Sequence, residues 1–190
     1  MFVDRLLCPV ETLGPGRRLV MWTSGCSKRC PGCANPELWA HRPEHEVEVE
    51  GFADCVVRTA RAQGVDRLTL TGGDPLEQPD ELLRFLGIVR PAFRDILVYT
   101  GYTYEEAQES LGVERMGRLC GLMDALVDGR YVEKLNDGSC ALRGSTNQRV
   151  MMFNEELAGE YERCLEQGRA VQNFVYGGRA ISVGIHGARD

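Results

Sequence analysis

Four short apolar runs divide the larger part of this chain, and each leads into a loop that carries glycine. RLVMWT (Arg18–Thr23) precedes Gly25, RLTLT (Arg67–Thr71) precedes Gly72 and Gly73, DILVYT (Asp95–Thr100) precedes Gly101, and MDALVD (Met123–Asp128) precedes Gly129. Short runs bounded by such turn residues read as strands, and near-continuous apolarity fits strands covered on both faces. Between them the period changes. Phe52, Cys55, Val56, Thr59 and Ala60 recur at helical spacing until Gly64, and Leu82, Leu83, Leu86 and Val89 share one face of Pro79–Val89 before Pro91 blocks extension. A further helix is expected from Thr103 to about Leu111, with a short helical piece to Cys120. Strand, loop and helix in repetition predict a mostly parallel α/β sheet, because parallel strands need crossovers and those crossovers are right-handed. A closed eight-unit barrel takes about 250 residues. With 190 residues, the chain is expected to form an open, partial barrel or a doubly wound sheet. In both, ligands gather at the carboxyl ends of the strands, where all four glycine loops fall.

Composition narrows the function. At 190 residues and 43% apolar, the chain reads as one domain with a continuous core, residues 1–152, carrying a C-terminal extension, 153–190, packed on the same domain. The extension has a helical pattern over Glu155–Glu166 and apolar runs at Val171–Tyr176 and Ala180–Ile185. A net charge of −6 supplies no basic field for phosphate contacts, so nucleic acid is excluded as a partner. No run approaches the roughly 20 apolar residues of a membrane span, and MFVDRLLCPVETLG lacks the order of a secretory signal. The expected location is cytoplasmic, where eight cysteines point to metal, redox work or burial rather than to a disulfide framework.

The first glycine loop is unusual. SGCSKRCPGCANPELW places Cys26, Cys30 and Cys33 in a C-x3-C-x2-C order. A structural zinc site needs four ligands, which His41 or His45 would complete. CPGC, Cys30 to Cys33, also fits a dithiol redox pair, though that leaves Cys26 unexplained. The third reading is a 4Fe-4S cluster, normally held by four thiolates, with one iron left free of protein and open to a ligand. Gly25, Pro31 and Gly32 allow a tight loop whose amides face a cluster. GGDP, Gly72 to Pro75, leaves backbone open to close approach, then offers a carboxylate and a helix start; alone it also fits a plain strand-to-helix turn. Cys8, Cys55, Cys120, Cys140 and Cys164 show no compact spacing, so no auxiliary cluster is expected. Trp22 and Trp39 flank the loop and suit core packing or shielding of a cluster.

In chain order, GPGRRLVMWTSGCSKRCPGCANPELW, LTGGDPL, VYTGYTYEE, LVDGRYVEKL and LRGSTNQR resemble the radical S-adenosylmethionine (SAM) enzymes and, among them, the anaerobic ribonucleoside-triphosphate reductase activating proteins. The resemblance covers roughly Met1 to Val150. It implies a partial, open TIM-like β/α barrel of the radical SAM type. It implies that Cys26, Cys30 and Cys33 ligate three irons of a 4Fe-4S cluster and that SAM chelates the fourth through its amino and carboxylate groups. One-electron reduction would then yield methionine and a 5′-deoxyadenosyl radical, which takes hydrogen from a backbone glycine of the reductase large subunit. No catalytic acid or base is implied; an electron donor such as flavodoxin or ferredoxin is. By the same resemblance Gly72, Gly73, Asp74 and Pro75 lie at the SAM amino group, and Gly32, Cys33 and Ala34 on the adenine side. Ala34 stands where relatives often carry an aromatic residue. Thr100, Asp128 and Arg130 fall near positions bordering the SAM carboxylate or ribose; their alternatives are a strand residue, an Asx turn and a surface charge. GSTNQR, Gly144 to Arg149, suits SAM or partner contact, or a capping turn. Competing functions are activation of another glycyl radical enzyme, radical modification of a peptide, and a plain iron–sulfur electron carrier or metal-binding module.

Overall fold

The computed structural model describes residues 1–139, 141–176 and 178–186. Among the described residues eight strands and five α-helices are formed: β1 Val3–Val10, β2 Arg18–Thr23, α1 Val49–Gln63, β3 Arg67–Gly72, α2 Pro79–Val89, β4 Asp95–Tyr99, α3 Tyr104–Leu111, α4 Val113–Cys120, β5 Ala125–Asp128, β6 Arg149–Met152, α5 Ala158–Glu166, β7 Val171–Tyr176 and β8 Arg179–Gly184. The first six strands make one sheet in chain order, and β7 and β8 pair as a separate hairpin. The pairings β2·β3, β3·β4 and β4·β5 are parallel, whereas β1·β2 and β5·β6 are antiparallel. The sheet is therefore mostly parallel and open, with β1 and β6 as its two edges.

Both edge strands escape the sequence pattern. β1 carries Arg5 and Pro9, and its register shifts between Leu7 and Val10, as befits an edge strand where proline is tolerated. β6 has only four residues and follows a polar loop. The cysteine loop thus follows the second strand of the chain, not the first.

Side chains alternate across each strand, and the two faces do different work. Leu19, Met21, Leu68, Leu70, Ile96, Val98 and Leu126 meet Ala53 and Val56 of α1, Leu82 and Leu86 of α2, Ala107 of α3, and Met116 and Leu119 of α4 in one core cluster. All four helices between the strands thus pack on one face of the sheet. Local signals set their limits: Glu48 caps α1, Gly64 ends it at φ +62, and Thr103 with Glu106 forms a capping box before α3.

The opposite face carries Arg18, Thr69 and Asp95 at the amino ends of the strands. There a fully buried Arg18 bonds Asp95 (2.6 Å), Thr69 (2.6 Å), Leu68 O (2.7 Å) and Pro15 O (3.1 Å). Arg67 joins from Nη1 to Asp95 at 3.0 Å, and Tyr161 of α5 donates to Asp95 at 2.9 Å. This polar plug closes the inner face at one end. Toward the carboxyl ends the same face opens at Trp22, Thr71 and Tyr99.

The segment after β6 crosses the inner side. α5 buries Tyr161 beneath the sheet, and the hairpin β7–β8 reaches the far edge, where Val183 packs with Val10, Leu13, Val20, Trp22 and Leu38. Thr12 Oγ1 donates to Val183 O at 3.0 Å, and the Gln172 amide bonds Glu11 N and Pro9 O, each at 3.0 Å.

Candidate metal centre and cofactor cavity

The chain leaves β2 at Thr23 and turns sharply through Gly25, whose φ of +99 favours glycine. Gly25 N donates to Leu38 O (2.8 Å) and Cys26 N to Trp39 O (3.0 Å), so the returning segment holds the loop from one side. From the other side Gly73 N donates to Thr23 O and Asp74 N to Gly25 O, both at 2.8 Å. The two backbones run so close that a Cβ on Gly73 would lie 2.4 Å from Gly25 O, and one on Gly72 2.6 Å from Thr23 N. The paired glycines of GGDP therefore first let the β3 turn press against the cysteine loop.

Asp74 locks that contact. Its carboxylate, 1% exposed, accepts from Leu76 N (3.0 Å), Thr100 Oγ1 (2.8 Å) and Gly101 N (2.9 Å). Burial outweighs these bonds and pushes its carboxyl up to about 6. Glu77 accepts from Ser27 N at 2.6 Å, and Lys28 Nζ sits 3.1 Å from the centroid of the Tyr102 ring. The cysteine loop is fastened to β3, to β4 and to its own return segment.

Cys26, Cys30 and Cys33 are free thiols on one cavity of about 260 Å³ at the carboxyl ends of the strands. Burial pushes the Cys26 thiol up to about 11 and raises that of Cys30. Without metal these are thiols; a cation deprotonates them and turns them into ligands. Two further features fit a bound group. Trp39 Nε1 and the Tyr99 hydroxyl line the cavity, are buried, and have no hydrogen-bond partner among the described residues. Such orphaned donors each cost about 1–3 kcal/mol unless a ligand satisfies them.

The cavity gathers most of the sequence-derived residues. Cys26, Cys30, Cys33, Ala34, Gly72, Gly73, Asp74 and Thr100 line it. Gly32, Pro75, Asp128 and Arg130 are not in its lining. Gly32 caps the loop against Tyr131 and Glu133, Pro75 is buried behind Asp74, and Arg130 is exposed. Asp128, 1% exposed, accepts from Tyr104 N (2.7 Å) and Arg149 Nε (3.0 Å), which ties the start of α3 to β6. In GSTNQR, Gln148 accepts from Gly144 N at 2.8 Å and donates to Gly129 O at 2.8 Å; it closes the turn and also lines the cavity. His41 packs on Gly25 and Phe2, and His45 bonds Asp4 at 3.3 Å, so neither histidine joins the thiols on the cavity wall. Cys8, Cys55, Cys120 and Cys164 are dispersed over β1, α1, α4 and α5; Cys140 lies outside the described residues.

Residues 12–151 match the protein family described as the 4Fe-4S single cluster domain. The anaerobic ribonucleoside-triphosphate reductase-activating protein of Vibrio cholerae is 33% identical over 155 residues, which span 76% of this chain and 94% of that protein. Its namesake in Salmonella typhi is 36% identical over 152 residues (75% and 93%), and that of Escherichia coli K12 33% identical over 149 (75% and 93%). The chain belongs to this family of reductase-activating proteins. The cavity also has lining residues that were not singled out as site residues: Trp39, Tyr99 and Tyr131 within the family's motifs, and Arg5 and Ile181 to His186 outside them. Tyr99 was legible by the period-two alternation of β4; for the hairpin residues, far off in sequence, no signal existed.

Proposed function

We propose that this chain cleaves SAM reductively at a 4Fe-4S cluster and thereby generates a glycyl radical on the large subunit of anaerobic ribonucleoside-triphosphate reductase, with electrons from a donor such as flavodoxin or ferredoxin. Its fold on this reading is an open, TIM-like β/α barrel of the radical SAM type, working in the cytoplasm. The observation that carries the reading is the cavity: three thiols and the Gly72–Gly73 turn share its wall, held together by two backbone hydrogen bonds of 2.8 Å.

Cys26, Cys30 and Cys33 would hold the cluster, which when bound supplies the electron that splits the carbon–sulfur bond of SAM. The chain's own residues position and shield. Gly72 and Gly73 present backbone to the SAM amino end, with Pro75 behind them. Thr100 and the Gly101 amide fix the Asp74 carboxylate, so the turn keeps its shape when the cavity fills. Cys33 and Ala34 face the adenine side, with Gly32 at the loop apex. Asp128 serves through the loop it braces, and Arg130 stands at the rim. Lys28 and Arg5 line the cavity and bring positive charge to its wall, which suits a ligand carboxylate.

Anaerobic reconstitution with iron and sulfide, reduction by dithionite and addition of SAM are expected to yield 5′-deoxyadenosine. Mixing with the reductase large subunit is expected to give a glycyl EPR doublet. An intact, reducible cluster that never cleaves SAM would sink the proposal and leave an electron carrier.

A further inference from the structure

Each turnover of the proposed reaction consumes one electron, which has to reach the cluster from another molecule. The place where it enters is legible around the thiols. Pro31 and Gly32 are exposed and outside the cavity lining, whereas Cys30 and Cys33 on either side of them belong to it. The tip of the cysteine loop faces solvent while its thiols face the cavity. The loop after β5 packs against this tip: a Cβ on Gly32 would lie 2.8 Å from Glu133 Oε1 and 3.1 Å from Tyr131 Cε1. The Tyr131 amide also donates to the Cys30 sulfur. The two loops therefore form one surface.

That surface differs in charge from the rest of the chain. Residues 26–36 and 129–139 hold four cations, Lys28, Arg29, Arg130 and Lys134, against two carboxylates, Glu133 and Asp137, a net charge of +2 on a chain whose remaining residues carry −8. Lys28 lines the cavity; Arg29, Arg130 and Lys134 are exposed and in no ion pair among the described residues. The acids around them have donors of their own. Asp137 accepts from Ser139 N at 2.9 Å, Glu77 from Ser27 N at 2.6 Å and Glu37 from Arg5 at 3.3 Å. Val132 and Leu135 add exposed apolar side chains, at 38% and 42%. A basic pole on an acidic body draws in and orients an acidic partner, with an effect that fades as salt is added. Small faces suit the brief encounters of electron-transfer proteins, which need proximity rather than a lasting complex.

We propose that the face formed by residues 29–32 and 130–135 is where an acidic one-electron carrier protein docks to reduce the cluster. The carrier is oxidised by one electron, the cluster is reduced by one, and no atom changes hands. The inference rests on the cluster reading, but it is tested without SAM. Arg29 stands at φ +46, a backbone region that aspartate tolerates, so Arg29→Asp with Lys134→Glu reverses two charges and spares the loop. Reduced flavodoxin serves as the carrier, and loss of visible absorbance of the reconstituted protein gives the rate. The wild-type rate is expected to fall as salt rises from about 0.02 to 0.2 M. At low salt the double variant is expected to be about ten- to a hundredfold slower. Arg58→Glu with Arg61→Glu makes the same change in net charge on exposed positions of α1, where the chain leads into the amino end of β3, and is expected to stay within about threefold of wild type. Dithionite needs no docking face and should reduce all three at similar rates. Oxidised flavodoxin, followed by fluorescence anisotropy of an attached label, should bind the cluster-free chains in the same order, a readout that survives poor iron loading. Equal slowing in both double variants would make the effect one of net charge, and no slowing in the first would leave the face without a role; either result overturns the proposal. Fast, salt-sensitive reduction in a preparation that forms no 5′-deoxyadenosine when SAM is added would support the docking face and refute the activase reading.

Discussion

Gly73 shows how one missing side chain shapes the site. Its amide donates to Thr23 O, and its Cα passes so near Gly25 that a methyl group would sit 2.4 Å from that carbonyl. Gly73→Ala is therefore expected to push the cysteine loop away from β3. The cost is about 1–3 kcal/mol, as for other over-packed positions, read as a lower urea midpoint and less iron bound per chain after reconstitution. Asp74 is opposite in kind, a carboxylate kept because three donors, the Thr100 hydroxyl among them, hold it. Its carboxyl is raised from 3.8 to about 6, chiefly by burial, so between these values the folded apoprotein binds more protons than the unfolded chain. Stability from this group is fully present below pH 4 and is lost as pH rises toward 6, by on the order of 3 kcal/mol at most. Asp74→Asn has no such titration. The stability difference, wild type minus Asp74→Asn, is expected to fall across that window and then level off. A difference that stays flat in urea titrations from pH 4 to 7 would contradict the assignment.

At the scale of elements, the cysteine loop has no secondary structure of its own through the three thiols, so its shape comes from what grips it: the turn after β3, the return segment at Leu38 and Trp39, and Glu77. Metal should add to that grip. Cys26→Ser, Cys30→Ser and Cys33→Ser are each expected to lose most of the iron, sulfide and visible absorbance of the reconstituted protein, whereas Cys55→Ser, on the exposed side of α1, is expected to keep them. Chelation of the iron is expected to lower the thermal midpoint of the wild type, since binding energy held only by the folded loop is folding energy. The loop, the parallel strands and their helices were legible because each is a local pattern: period two, period 3.6, a glycine or a capping residue at the boundary. Boundaries moved by a residue or two, as at β3, which runs on to Gly72. What stayed illegible depends on distant partners. β1 looks like a broken pattern until β2 pairs with it, and β6 is too short to announce itself. Asp128 has the composition of a binding residue, yet Tyr104 N and Arg149 claim its oxygens. His186 reaches the same cavity as Tyr99 from a position 87 further along the sequence, and no motif there announces it.

For the whole molecule the question is whether the segment after β6 is an appendage or a structural member. Tyr161 and Glu160 of α5 answer it. Tyr161 donates to Asp95 at 2.9 Å and Glu160 accepts from Arg67 at 2.5 Å, so the extension completes the buried network that closes the inner face of β2, β3 and β4. Asp95 is fully buried and accepts from Arg18, Arg67 and Tyr161 together. Removing it leaves the buried Arg18 charge without its counter-ion, and Asp95→Ala is expected to cost about 3–5 kcal/mol for that reason. Tyr161→Phe deletes only a hydroxyl and is expected to cost about 1.5–3 kcal/mol, as for one hydrogen bond to a charged acceptor. The network spans both parts of the chain, so these losses should appear in one cooperative transition. Far-UV circular dichroism and the fluorescence of Trp22, which packs against the hairpin's Val183, are expected to shift to the same lower urea midpoint in Tyr161→Phe. Two separated transitions, with only the fluorescence moving, would mean that the extension unfolds on its own and that the plug does not depend on α5.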